Sequence, residues 1–390
     1  MIARLGDIFT ITSGGTPDKK KSEYYANGTI PWVKTGDLKN KYVPTGIECI
    51  TEEGLKNSSA KLFPPNTVLV AMYGATIGAC SILPCEASTN QACAAFLPNE
   101  KVMPTYLYYF LLSKKEQFIK DGVGGAQPNI SAGYLKNVQF DLIPMQQQIN
   151  MVSTLDKVSE LIALRKEQLA KLEQLVKSRF VELFGDPASN PMGWDKVNIS
   201  AVVGGKVSNG FFAKRDDYCD DGNVKVLGVA HVVNRMYSNI EDLPTTNGSE
   251  TDIAKYGVKY GDMLFCRSSL VAAGIGKASI VPKGVPSNVL FECHVIRLPL
   301  DLNKCVPEFM QMLSTTDYFR NQVISQSKTA TMTTIGQDGI LKTEIILPPL
   351  ELQKQFLMFV EQTDKSKLTI QQSLDKLEVL KKSLMQKYFG

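Results

Sequence analysis

From Leu155 onward, apolar residues return at steps of three, four and seven: Leu155, Val158, Ile162, Leu169, Leu172, Val176 and Leu183, interrupted by Arg165 and Arg179. A seven-residue repeat of this kind predicts a coiled-coil seam. A second stretch carries Val360, Ile370, Leu374, Leu377, Leu384 and Tyr388 at equivalent steps, broken by Thr363, Lys367 and Lys381. Its natural partner is the first. Pro144 and the pair Pro348-Pro349 mark the helix starts, because proline is tolerated in the first turn and not beyond it. At about 1.5 Å per residue each helix reaches roughly 60 Å, more than a compact domain needs. Leu161, Leu164, Leu175, Leu368 and Leu380 widen the apolar stripe past a simple two-helix seam, either to cover neighbouring domains or to receive another protein.

The helical stretches are copies of one another. Pro144 to Gly185 lies without a gap on Pro349 to Gly390, and Gln148/Gln353, Leu172/Leu377, Glu173/Glu378, Leu175/Leu380, Phe184/Phe389 and Gly185/Gly390 are identical pairs. The regions ahead of them repeat more faintly. Ile77 to Pro84 is matched by Ile275 to Pro282, and Val68-Leu69-Val70 by Met263-Leu264-Phe265. The unit is a globular domain plus a helix, used twice. Strand-like runs at 67–73 and 224–229, short helices at 104–112 and 307–313, and evenly spread glycine and proline predict mixed α+β domains. The boundaries follow: residues 1–143, helix 144–185, residues 186–347, helix 348–390. The segment after Gly185, with Pro187 and Pro191, reads as a linker.

Composition adds limits. A chain of 390 residues, 44% hydrophobic, supports at least two cores. Lys+Arg 43 against Asp+Glu 39 is only mildly basic, so local charge must decide whether nucleic acid is bound. The eight cysteines form neither a disulfide framework nor a zinc spacing. No stretch is long enough to span a bilayer and the N-terminus lacks a leader pattern, so the expectation is a soluble, cytoplasmic protein.

The order Ile8-Phe9-Thr10-Ile11-Thr12-Ser13-Gly14-Gly15-Thr16-Pro17, then Gly28-Thr29-Ile30-Pro31-Trp32-Val33, then Leu347-Pro348-Pro349-Leu350-Glu351-Leu352-Gln353 resembles the specificity subunits of type I restriction-modification enzymes. The likeness extends over the whole chain, duplication included. It implies two target recognition domains, each reading one part of a bipartite double-stranded DNA site. Between them would run an antiparallel coiled coil with pseudo-two-fold symmetry that docks two methyltransferase subunits, joined by motor-nuclease subunits for cleavage. S-adenosylmethionine, ATP and magnesium would belong to those partners, and this chain would hold no cofactor. The first copy departs from the pattern at its helix start, where Ile143-Pro144-Met145 replaces the double proline.

The residues themselves favour a reader over a catalyst. No Asp-Pro-Pro-Tyr type motif for amino methylation occurs, and Gly274 to Ser279 has the wrong spacing for a phosphate loop. Only His231 and His294 are available for histidine acid-base chemistry, and both read as ordinary packed or surface residues. Candidate DNA contacts are loops where cations and amides cluster. In the first domain these are Lys19, Lys20, Lys21, Lys34, Tyr73, Asn90, Gln91, Gln127 and Asn129. In the second they are Lys214, Arg215, Asn234, Arg235, Arg267, Ser268, Lys328, Thr329 and Thr331. Lysine binds phosphate without reading sequence, Asn and Gln pair with adenine, and arginine with guanine. The competing account of each is a solvated charge or a turn-forming amide. A self-sufficient nuclease or methylase component, or a protein-binding adaptor, remain the rival functions.

Overall fold

A computed structural model describes residues 1–123, 129–329 and 331–390. The two long helices run Met145–Phe184 and Leu350–Phe389. The chain forms two compact units. The first joins Met1–Lys166 to Gln372–Gly390, and the second is Glu167–Gln371. Each unit therefore contains one end of each long helix and cuts across the linear division at 143, 185 and 347.

In the first unit a four-stranded antiparallel sheet has the order Ile11–Ser13, Cys93–Phe96, Val68–Ala71, Cys80–Ile82. Beside it lies a mixed sheet of Cys49–Ile50, Ile30–Val33, Ala87–Thr89 and Leu62–Phe63, with Trp32 and Val33 parallel to Ser88 and Thr89. The second unit repeats this frame. Ser208–Asn209, Val295–Pro299, Asp262–Cys266 and Ala278–Ile280 form the antiparallel sheet. Thr245–Thr246, Val224–Leu227 and Val289–Phe291 form the mixed one. Both units are α+β, and each places two consecutive short helices after its sheets, Pro104–Ser113 with Lys115–Asp121 and Pro307–Ser314 with Asp317–Ser325.

The identical glutamines of the repeat have a shared job. Gln148 accepts from the Met103 amide at 2.9 Å and donates to the carbonyls of Lys101 and Ile143 at 2.9 and 3.0 Å. Gln353 accepts from Val306 at 2.8 Å and donates to Pro348 at 2.8 Å. Both are fully buried, so each amide satisfies backbone groups that would otherwise be stranded where a long helix meets its domain. The Pro144 and Pro349 carbonyls accept the first helical amides.

Inside each unit the helices pair antiparallel. In the first, Lys166 meets Glu378 at 2.9 Å, Arg165 meets Ser373 at 3.3 Å, and Leu155 shares a core with Phe389. In the second, Phe180 and Phe184 pack on Phe356, and Val176 shares the core with Val360. The seam expected from the heptads varies in depth along the helices. Val152, Leu155 and Val158 at one end, and Val176, Phe180 and Phe184 at the other, are buried. Ile162, Leu169 and Leu172 between them are only half-buried. Leu374 of the second helix is buried as well, so the apolar pattern serves both the interhelical seam and the domain cores at the helix ends. Leu161, Leu164, Leu175, Leu368 and Leu380 stay 43–61% exposed, so they do not cover the domains.

All eight cysteines are free, and burial pushes the thiols of Cys80, Cys93 and Cys305 up to about 12. Among the described residues no His, Cys, Asp and Glu cluster is placed to hold a metal, and no helix is long and apolar enough to cross a membrane.

Candidate nucleic-acid interface

The strand Val68–Ala71 leaves its sheet at Met72 and Tyr73. Met72 donates to the Ala92 carbonyl at 2.9 Å and accepts from Ile130 at 3.0 Å. Those two bonds draw three loops to one edge. Tyr73, 45% exposed, bridges to Asn129, which exchanges backbone hydrogen bonds with Val123. Asn90 caps its own turn by accepting from the Ala92 amide at 3.2 Å. Thr16 donates to the Gln91 amide oxygen at 2.5 Å and so ties in the glycine loop. Tyr73, Asn90, Gln91 and Asn129 are thereby brought together, while Gln127 lies outside the described residues.

The lysines divide. Asp18 folds the loop by accepting the Lys20 amide at 3.0 Å, leaving the Lys19 and Lys20 side chains exposed. Lys21 donates to the Tyr24 hydroxyl at 2.9 Å, and that hydrogen bond holds its pKa above the usual lysine value. Lys34 is paired: its exposed ammonium sits 2.6 Å from Glu48, whose hydrogen bond raises its pKa.

The second unit builds the same edge. The Arg267 amide donates to His294 at 2.8 Å, as Met72 does to Ala92, and the Glu292 amide donates to Leu227 at 2.9 Å, as Asn90 does to Val33. Ser268–Ser269 then pairs with Thr333–Thr334, which pairs with Lys328–Thr329. Arg267, Ser268, Lys328 and Thr329 converge, with Thr331 exposed in the turn. The Arg267 guanidinium is steadied by the Cys293 carbonyl at 3.1 Å. Lys214 and Arg215 stand exposed on a separate turn, whose Lys214 amide is held by Asp217 at 2.7 Å. Asn234 and Arg235 do not join the edge. Asn234 accepts from Lys277 at 2.7 Å and lines a different cavity.

Two residues missed in the sequence belong to this edge. Glu292 occupies the place of Asn90, and its carboxylate accepts the Val229 amide at 2.8 Å. His294 is exposed, the surface histidine expected, and lies 3.1 Å from the Ser268 hydroxyl. His231 does read as packing: its Nδ1 accepts from Gly228 at 3.1 Å, and burial first, then Arg235, lowers its pKa. Laying the second domain on the first by its sheets would have found Glu292 and His294, but the loops differ in length and no single offset serves.

A close glycine backs each edge. A Cβ at Gly14 would stand 2.0 Å from the Thr89 carbonyl oxygen, and one at Gly210 would stand 2.2 Å from those of Phe291 and Glu292. Gly210→Ala is therefore expected to destabilise the second unit by about 1–3 kcal/mol through overpacking. A urea midpoint equal to that of the unsubstituted chain would refute this contact.

A duplicated α+β domain with paired helix ends, presenting two differently furnished polar edges, matches one class of protein. The family model of the type I restriction modification DNA specificity domain fits residues 1–174 and again 191–381, and the chain belongs to that family. It is 25% identical over 419 residues to the StySPI type I restriction enzyme specificity subunit of Salmonella potsdam, covering 99% of this chain and 88% of that protein. To the MjaIX specificity subunit of Methanocaldococcus jannaschii it is 29% identical over 253 residues, covering 60% of this chain and 58% of that one. The chain thus spans under two thirds of the Methanocaldococcus protein. In fold it is similar to the crystal structure of a type I system S subunit from M. genitalium, with TM-score 0.57 and 13% identity over 100% of this chain and 96% of that one. A chain from a structural study of type I restriction-modification complex assembly gives TM-score 0.60 and 16% identity, covering 100% and 97%.

Proposed function

We propose that each unit of this specificity subunit reads one half of a bipartite DNA duplex through its polar edge. The observation that carries the reading is one backbone frame furnished twice with different side chains. Tyr73, Asn90, Gln91 and Asn129 stand in the first unit, and Arg267, Ser268, Glu292 and His294 in the second. Amides suit adenine, arginine suits guanine and a carboxylate suits the cytosine amino group. The long helices set the spacing of the half-sites, and their exposed leucines dock two methyltransferase subunits, which motor-nuclease subunits join. S-adenosylmethionine, ATP and magnesium act on those partners in the cytoplasm, and this chain contributes recognition rather than catalysis.

Separating positioning from reading tests the proposal. Changing Lys19, Lys20 and Lys21 to Ala should weaken binding to every sequence and lower the salt slope by about one unit per lost phosphate contact. Changing Asn90 and Gln91 to Ala should leave that slope nearly intact and cost roughly 1–3 kcal/mol per lost base pairing at one half-site only. Affinity measured against salt on duplexes altered in either half distinguishes them. A lysine variant that lost one half-site preference at constant slope would reverse the assignment.

A further inference from the structure

We propose that the second unit carries a phosphate-binding pocket, formed jointly by its recognition domain and its helix ends, that grips the DNA backbone beside the reading edge. The inference rests on the DNA-reading role proposed above.

The cavity holds about 380 Å³, and its lining includes Lys177, Arg235, Lys277, Arg320 and Lys367 against the single acid Glu173. Most of these cations are engaged by neutral groups. Lys277 donates to the Asn234 amide oxygen at 2.7 Å, Arg235 to the carbonyls of Val233 and Ala230 at 3.4 and 3.3 Å, and Arg320 to that of Ala273 at 3.1 Å. Lys367 meets Asp364 at 3.4 Å. Arg320 Nη1 is buried without a hydrogen-bond partner, and burial lowers the guanidinium's pKa. A buried cationic donor without an acceptor is costly, and an anionic oxygen supplies both the charge and the bond it lacks.

The pocket is distinct from the edge but shares a stretch of chain with it. Arg320 is tied to Ala273, and Ala273 and Lys277 lie on the loop that begins at Arg267 and Ser268. A phosphate held there would fix the register in which those side chains meet bases, the usual division between backbone and base contacts. The first unit does not copy the chemistry. Ala79 stands where Lys277 does in the repeat, and Lys41 is spent on Asp156 at 2.8 Å. The pocket is thus a property of one half, unlike the shared glutamine of the scaffold.

The test uses the full chain and a Lys177→Gln/Lys277→Gln variant, which leaves half-buried Arg320 in place. Arg320→Gln serves as a second variant. The first arm compares melting temperature in inorganic phosphate and in chloride at matched ionic strength, read as the difference between the unsubstituted chain and the variant because phosphate stabilises proteins generally. The second arm measures DNA affinity against salt. We expect the phosphate-specific rise to disappear in both variants and the salt slope to fall by about one to two, with both half-site preferences unchanged. Loss of the phosphate effect at constant slope would keep the pocket but assign it to free phosphate, overturning the DNA arm. Equal phosphate responses and equal slopes would overturn the pocket itself. If the unsubstituted chain bound DNA without steep salt dependence, the DNA reading would fall, and the phosphate arm alone would judge the site.

Discussion

Replacing Phe184 by Ala is expected to destabilise the second unit by about 3–5 kcal/mol, the usual cost of deleting a buried aromatic ring. Phe184 is fully buried, 4.8 Å from Phe309 and 5.7 Å from Phe356 between ring centres, so one side chain joins both helix ends to the domain. Its repeat partner Phe389 does the same in the first unit, 5.3 Å from Tyr106 and 6.2 Å from Phe110. The two tryptophans allow the units to be followed separately. Trp32 donates to the Gly15 carbonyl in the first, and Trp194 donates to the Phe184 carbonyl in the second. In a Trp32→Phe background the Trp194 urea transition should move down by roughly 1–2 M when Phe184 is removed. In a Trp194→Phe background the Trp32 transition should hardly move. Equal shifts of both probes would mean that the chain unfolds as one block and that Phe184 is not local to its unit.

Lengthening both helices together is expected to lengthen the DNA spacer. The antiparallel register means that four residues inserted after Lys166 alone would slide one helix past the other, breaking contacts such as Phe180 to Phe356 at 5.6 Å. Four residues after Lys166 matched by four after Gln371 preserve the pairing within each unit. The added rise is roughly 6 Å, about two base pairs at 3.4 Å each, with a rotation near 40°. The preferred spacer should grow by about one or two base pairs while both half-site sequences persist. Sequencing methylated adenines in a host carrying the complete operon reads this directly. An unchanged spacer, or a changed half-site, would remove the helices from the role of ruler.

The duplication was readable because its anchors are chemically exacting. Gln148 and Gln353 each satisfy several buried backbone groups, and Phe184 and Phe389 each close a core, so the same residues recur. The α+β character was readable from short strands and punctuating glycines. The helix seam was readable from the heptads, although a heptad count does not distinguish a residue facing its partner helix from one facing a domain. Of the edge, Tyr73, Gln91, Arg267 and Ser268 were legible as polar loop residues. Glu292 and His294 were not, since their position depends on the backbone bonds between distant strands, such as Arg267 to His294. Lys34 looked available because nothing local in sequence marks Glu48, fourteen residues away, as its partner.

The composition of the first unit has a consequence for biosynthesis. Its core is begun by the earliest residues and completed by Gln372–Gly390, whereas Glu167–Gln371 is one uninterrupted span. On the ribosome the second unit can close first, while the first lacks the contacts of Phe389 with Tyr106 and Phe110 until that residue emerges. A nascent chain stopped after Gln371 would keep a finished second unit and leave the N-terminal one open, a substrate for chaperones and proteases. Closure of the N-terminal unit thus depends on residues after Gln371, and quality control falls on the domain that was made first.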